Sequence, residues 1–161
     1  MRSYDGARHG RAGLSRLLRE VPNHPALAGE TVRILDNFRQ PRFHALWDLP
    51  GYVDYEFVEG DVRERAVRSE ALEGVDTVFH LAAVTNAPET FDIPEETWAV
   101  NHRATVDLYE EARAAGVDEF VYAGTCSVYG RTEAEITEAA DCDPESPYGE
   151  AKLEAEREML T

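Results

Sequence analysis

From Thr31 onward the chain alternates short β-branched and aromatic runs with longer segments of helical spacing, and this alternation constrains the fold more than any other feature. Thr31–Asp36 (TVRILD) is predicted as a strand and residues 55–58 as a weaker one. Residues 76–83 (DTVFHLAA) are an apolar run of buried-strand length, closed by the turn residues Asn86 and Pro88. Residues 95–115 have helical spacing through Trp98, Asn101, Thr105, Leu108 and Ala112, with Gly116 as the stop. Residues 119–124 (EFVYAG) form the next strand, 132–147 a polar, proline-containing loop, and 148–160 a charged, alanine-rich helix. Strands separated by helical crossovers imply an α/β fold with a parallel sheet.

A chain of 161 residues with 43% hydrophobic content can bury a core of its own. Its formal net charge of −16 argues against a nucleic-acid partner, which needs a basic face. No run of about 18 apolar residues is present to span a membrane. Cys126 and Cys142 are too few for a disulfide framework, so a cytoplasmic location is expected. Lys152 is the single lysine among 16 basic residues. Residues 1–44 hold eight arginines against four acids, a net of +4, whereas residues 45–161 hold 28 acids against eight bases, a net of −20. An acidic, lysine-poor body suits a high-salt cytoplasm, where self-repulsion is screened. An acidic protein from a GC-rich genome is the plainer alternative.

The start of the chain departs from this pattern. A doubly wound sheet places its first strand at the centre, running into a glycine-rich turn. Residues 1–5 (MRSYD) offer little apolar material for such a strand. Without it, the strands at Thr31 and Thr77 lose their shared neighbour, and the sheet carries unpaired edges in its middle.

Tyr148 and Lys152 form Y-x-x-x-K on a predicted helix, which places both on one face, a turn apart. An ammonium beside a phenol favours the phenolate, and that suits Tyr148 to general acid/base work. A surface tyrosine with an unrelated lysine is the alternative. Retaining one lysine in an arginine-rich chain points to a need for a compact, flexible ammonium. The histidines show no metal spacing, and Cys126 is expected in the core.

Residues 146–152 (SPYGEAK), preceded by 120–130 (FVYAGTCSVYG) and 136–138 (ITE), resemble the extended short-chain dehydrogenase/reductase family. More narrowly they are similar to its NAD-dependent nucleotide-sugar epimerase/dehydratase group. Asp36 with Asn37, Gly60–Asp61–Val62, residues 80–83 (HLAA) and Asn101 follow in family order, so the resemblance covers about residues 31–160. It implies a Rossmann-type parallel sheet with flanking helices, here incomplete at the first strand and lacking the C-terminal substrate part. The whole of 1–161 is then one partial NAD(P)-binding domain.

The resemblance also implies roles. Asp36 would accept hydrogen bonds from the adenosine ribose, which favours NAD over NADP, and Arg39 nearby softens that preference. Asp61 and Val62 resemble the pair that flanks the adenine. Leu81, Ala82 and Ala83 resemble the small-residue stretch that admits the cofactor backbone. Thr125 stands where the family places a catalytic serine or threonine, Tyr148 would be the acid/base, and Lys152 would hold the nicotinamide ribose. The 4,6-dehydratases of the family carry Asp-Glu after that threonine. Here Cys126 and Ser127 follow Thr125, which favours epimerisation or simple carbinol oxidation over dehydration. The implied substrate is a nucleotide sugar, and a homodimer is an expectation by resemblance alone.

Gly6, Gly10 and Gly13 (GARHGRAG) do not match the expected T-G-x-x-G-x-x-G in any register. A native but degenerate loop, a wrong start and a reading-frame error upstream of about Leu17 all fit. Both ends therefore suggest little or no epimerase activity in the isolated chain. A remnant or an NAD-binding module without turnover is the competing reading.

Overall fold

The computed structural model describes residues 29–39, 49, 51–131 and 136–161. Strand β1 (Thr31–Asp36) pairs in parallel with β2 (Asp54–Glu59), in register from Thr31↔Asp54 to Asp36↔Glu59. Strand β3 (Thr77–His80) pairs in parallel with β4 (Glu119–Tyr122), from Thr77↔Glu119 to His80↔Tyr122. Helix α1 (Arg65–Leu72) connects β2 to β3. Helix α2 (Pro94–Trp98), a π turn (Ala99–Arg103) and α3 (Ala104–Ala115) connect β3 to β4, and α4 (Pro147–Met159) follows.

The two-residue period of the strands decides which side chains reach the core. Leu35 of β1, Val78 of β3 and Phe120 of β4 pack on a cluster of Val62, Leu72, Ala104, Leu108 and Ala112. Both strand pairs therefore rest on one helical layer made by α1 and α3. Arg33 also points this way, and its Nη1 donates to the carbonyls of Glu70, Ala71 and Glu73 at the end of α1, where the regular helical ladder stops. Phe57, Phe79 and Val121 point to the opposite face and are 52%, 47% and 43% exposed. The expectation of a fully buried strand at 76–83 thus holds on one face only.

Among the described residues the strands form two separate two-stranded sheets. The strand expected to join them, and the glycines Gly6, Gly10 and Gly13, lie outside the described residues. The order of elements otherwise follows the predicted alternation, with two corrections. Residues 95–115 are not one α-helix, because a π turn interrupts them at Ala99–Arg103. Thr105 Oγ1 reaches back to the carbonyls of Asn101 (3.1 Å) and Val100 (3.4 Å), and such back-bonding competes with the regular helical ladder. Cys126, expected in the core, is exposed, because the 3₁₀ turn Cys126–Tyr129 buries Val128 instead. Gly116 ends α3 as predicted, at φ +84°, with Val117 N–H donating to Ala112 O. No helix among the described residues is long and apolar enough to cross a membrane.

Candidate functional site

Parallel strands present all their carboxyl ends on one edge, and the candidate residues gather there. At the end of β1, exposed Asp36 accepts a hydrogen bond from Phe38 N (2.7 Å) through Oδ1, a turn that Phe38 completes at φ +48°. Gly60 N donates to Asp36 O (3.1 Å), so the loop after β2 is zipped to the loop after β1. Asn37 Nδ2 then donates to Asp61 Oδ2 (3.2 Å). Asp61 also accepts a fork from Arg63, Nε to Oδ1 at 2.9 Å and Nη2 to Oδ2 at 2.7 Å. These bonds, against the opposing effect of burial, hold the Asp61 carboxyl well below the usual carboxylate range. Val62 turns its side chain into the core and its carbonyl accepts from Arg68 Nη1 (2.9 Å), a guanidinium only 3% exposed.

Beyond β3 the chain leaves the sheet, so Leu81, Ala82 and Ala83 are irregular backbone rather than strand. Asn101, fully buried on the π turn, fixes this segment. Its Oδ1 accepts from Val84 N (2.8 Å) and its Nδ2 donates to Val84 O (3.0 Å). Glu96 of α2 pairs with both Arg39 and Arg63. Three loop regions, after β1, β2 and β3, are thereby linked.

Thr125 follows β4 in extended backbone and caps the 3₁₀ turn, its Oγ1 accepting from Ser127 N (3.2 Å). Ser146 caps α4 in the same way, accepting from Gly149 N (3.2 Å), with Pro147 at the first helical position. A Cβ built on Gly149 would stand 2.8 Å from Ser127 O, so only glycine lets the Thr125 turn press against the start of α4. Half-buried Tyr148 precedes this contact, and Lys152 lies one turn on, 4% exposed. Lys152 Nζ sits 3.8 Å from the centroid of the Tyr122 ring. Burial lowers the Lys152 ammonium to about 8, with Glu156 opposing the shift. Burial also pushes the Tyr122 phenol up, helped by Glu156 and Tyr148.

The structure therefore gathers Asp36, Asn37 and Asp61 at one end of this edge and Thr125, Tyr148 and Lys152 at the other, with 81–83 placed by Asn101 after β3. Sequence reasoning named Asn101 as a helix position and as part of the family resemblance, without a contact, and missed Arg68, Gly149 and Tyr122. The glycine inside a helix-start motif was the available signal for Gly149, and the spacing around Arg68 and Tyr122 carried none. Among the described residues no three His, Cys, Asp or Glu side chains gather as metal ligands. The donor set fits a dinucleotide instead. An exposed carboxylate ends β1, small side chains follow β3, and the Lys152 side chain, only 4% exposed, sets its Nζ over the Tyr122 ring.

Parallel strands with helical crossovers and these residues at their carboxyl ends define a Rossmann-type, dinucleotide-binding α/β fold. A family model described as "NAD dependent epimerase/dehydratase family" matches residues 15–161. The chain belongs to this family, whose cofactor is NAD. It is 35% identical over 145 residues to a UDP-glucose 4-epimerase of Streptomyces lividans, a match covering 88% of this chain and 42% of that one. Among solved structures it resembles MoeE5 in complex with UDP-glucose and NAD, at 32% identity and TM-score 0.69, over 81% of this chain and 40% of that one. It also resembles DesIV, a dTDP-glucose 4,6-dehydratase from Streptomyces venezuelae with NAD and TYD bound, at 28% identity and TM-score 0.72, over 90% and 44% of the two chains. The chain thus spans less than half the length of these relatives.

Proposed function

We propose that this chain binds NAD and carries the acid/base machinery of a nucleotide-sugar epimerase. The observation that supports this reading most is the junction of β4 with α4. There the turn capped by Thr125 brings Ser127 O against Gly149, on the helix that carries Tyr148 and Lys152. When bound, NAD supplies a hydride acceptor that can return the hydride to the other face of the sugar.

The chain's own residues do the rest. Tyr148 takes the proton of the reacting hydroxyl, and the Thr125 hydroxyl orients it. Lys152 holds the nicotinamide ribose by charge-assisted hydrogen bonds. Asp36 accepts from the adenosine ribose and disfavours a 2′-phosphate. Asp61 and the Val62 backbone flank the adenine, and Leu81, Ala82 and Ala83 let the cofactor approach the sheet. Positioning of the proton acceptor against the reacting carbon supplies most of the acceleration. The substrate class is a nucleotide sugar, supported by the UDP-glucose bound to MoeE5. The acidic surface suits a high-salt cytoplasm, and a homodimer is part of the same reading.

NADH titration by fluorescence, with UDP-glucose turnover alongside in molar KCl, tests the proposal. Saturable binding that Lys152→Ala weakens at least tenfold is the expected result. Turnover abolished by Tyr148→Phe would establish the chemistry, whereas binding without turnover would make the chain a cofactor-binding module. No binding at all would overturn the reading.

A further inference from the structure

The Lys152 side chain is only 4% exposed, and its ammonium is held in an unusual way. Buried cations are normally paired with carboxylates, yet no described carboxylate lies within ion-pair distance of its Nζ. The face of the Tyr122 ring takes that place, 3.8 Å from Nζ to the centroid. The same tyrosine donates its hydroxyl hydrogen to Lys152 O at 3.1 Å, so it grips both the head of the side chain and the backbone that carries it. Tyr122 is itself fixed. It pairs with His80 across β3 and β4, their rings stack at 6.2 Å and 20°, and His80 Nε2 meets Thr105 Oγ1 at 2.8 Å. One column thus runs from α3 through the sheet to α4.

We propose that Tyr122 is a positioning residue for Lys152, seating its charge on a ring face so that the ammonium's hydrogen-bond donors stay available to a ligand. A carboxylate partner would stabilise the charge but occupy donors that hydroxyl oxygens need. A ring quadrupole attracts the cation without a lone pair to fill them. The inference rests on the reading that Lys152 holds the cofactor ribose, and it adds what keeps Lys152 ready to do so.

Among the described residues, the charged and titratable groups that act on Lys152 are His80 from β3, Tyr122 from β4 and Glu156 from its own helix, while Tyr148 acts on Tyr122. His80, lowered to about 4 by burial and by Lys152, is neutral throughout the window where Lys152 titrates. The test is NADH affinity of the full chain against pH, with Lys152→Ala as reference. Tyr122→Phe keeps the ring and should bind within about twofold of the parent. Replacing Tyr122 with 3,4,5-trifluorophenylalanine keeps the shape but cancels the ring quadrupole. It should weaken NADH about fivefold relative to Tyr122→Phe and move the alkaline loss of binding down by about half a pH unit. Equal affinity and equal pH profiles for these two replacements, with Lys152→Ala still impaired, would overturn the role of Tyr122 alone. An unimpaired Lys152→Ala would instead overturn the cofactor reading on which it stands.

Discussion

Asn101 grips both backbone polar groups of Val84 with one carboxamide, accepting from the amide at 2.8 Å and donating to the carbonyl at 3.0 Å. A primary amide carries a separate donor and acceptor side by side and can serve both groups of one residue in this way. The contact fixes the segment that leaves β3 and runs through Ala82 and Ala83. Asn101→Ala leaves both Val84 groups unpaired and should cost about 2 kcal/mol of stability, read as a fall in the urea midpoint. Asn101→Asp keeps the acceptor but sets an oxygen against the Val84 carbonyl, so it should not restore the loss. NADH affinity should fall in both variants, because the backbone they free faces the cofactor in the proposed reading.

Arg68 gives a second case of a polar side chain doing the work of the core. It is 3% exposed, donates to Val62 O, and forks onto Glu111 (3.0 and 2.8 Å) with Asp107 at 3.2 Å. Hydrogen bonding to Glu111 raises its already high basicity, so the charge is permanent. Arg68→Met removes the donor from partly buried Glu111 and from Val62 O, while exposed Asp107 stays hydrated, and should cost about 2 kcal/mol. Arg157→Ala, which removes an exposed i,i+3 pair with Glu154, should stay within about 0.5 kcal/mol. The Arg68 loss should persist in molar KCl, since salt screens buried pairs poorly. Chemical denaturation of the two variants at low and high salt separates these outcomes.

These two residues show which parts of the molecule the sequence discloses. Short β-branched and apolar runs revealed β1, β3 and β4, helical spacing revealed α3, and charged, alanine-rich composition revealed α4. Helix α1 escaped notice because one of its core positions is an arginine, and its apolar residues are too sparse in RAVRSEAL to mark a face. The π turn was invisible for a related reason. Asn101 and Thr105 sit at helical spacings, and neither the back-bonding of Thr105 nor the contact of Asn101 with Val84, 17 residues away, leaves a mark in the spacing. Tyr148 and Lys152 were legible because they lie four residues apart on one helix. Tyr122 was not, since its contact with Lys152 depends on how β4 meets α4, 30 residues on.

The acid limb of stability should carry a His80 signature. Burial lowers its pKa from 6.5 to about 4 in the folded chain, with Lys152 adding to the shift. A depressed folded value means that the contribution is fully present above pH 6.5 and drains away as pH falls through about 4. In that window the folding free energy should lose about 1.4 kcal/mol per pH unit from this group. Urea midpoints measured from pH 7 to 4 should therefore fall more steeply in the parent than in His80→Asn. Asp61, held low by Arg63, adds a further loss only below about pH 4, so the two groups separate along the pH axis.

Two glycines should lose stability on substitution by alanine for different reasons, and only one of them should lose function. Gly116 ends α3 at φ +84° with nothing within 4 Å of a built Cβ, so Gly116→Ala carries only the left-handed backbone penalty, about 1 kcal/mol. Gly149 has ordinary helical backbone, where alanine is intrinsically favoured by up to about 1 kcal/mol. Its built Cβ, however, would stand 2.8 Å from Ser127 O and 3.0 Å from Pro144 Cβ, and backbone cannot swing aside as a flexible side chain does. Overpacking of this kind costs about 1–3 kcal/mol, so the clash outweighs the propensity gain and Gly149→Ala is destabilising. It should also part the Thr125 turn from α4. In the proposed reading that separates Thr125 from Tyr148, so any turnover of UDP-glucose should fall at least tenfold in Gly149→Ala and stay near parental in Gly116→Ala. Thermal unfolding and steady-state rates on the same two preparations would check both halves, and an undisturbed rate in Gly149→Ala would remove the junction from the mechanism.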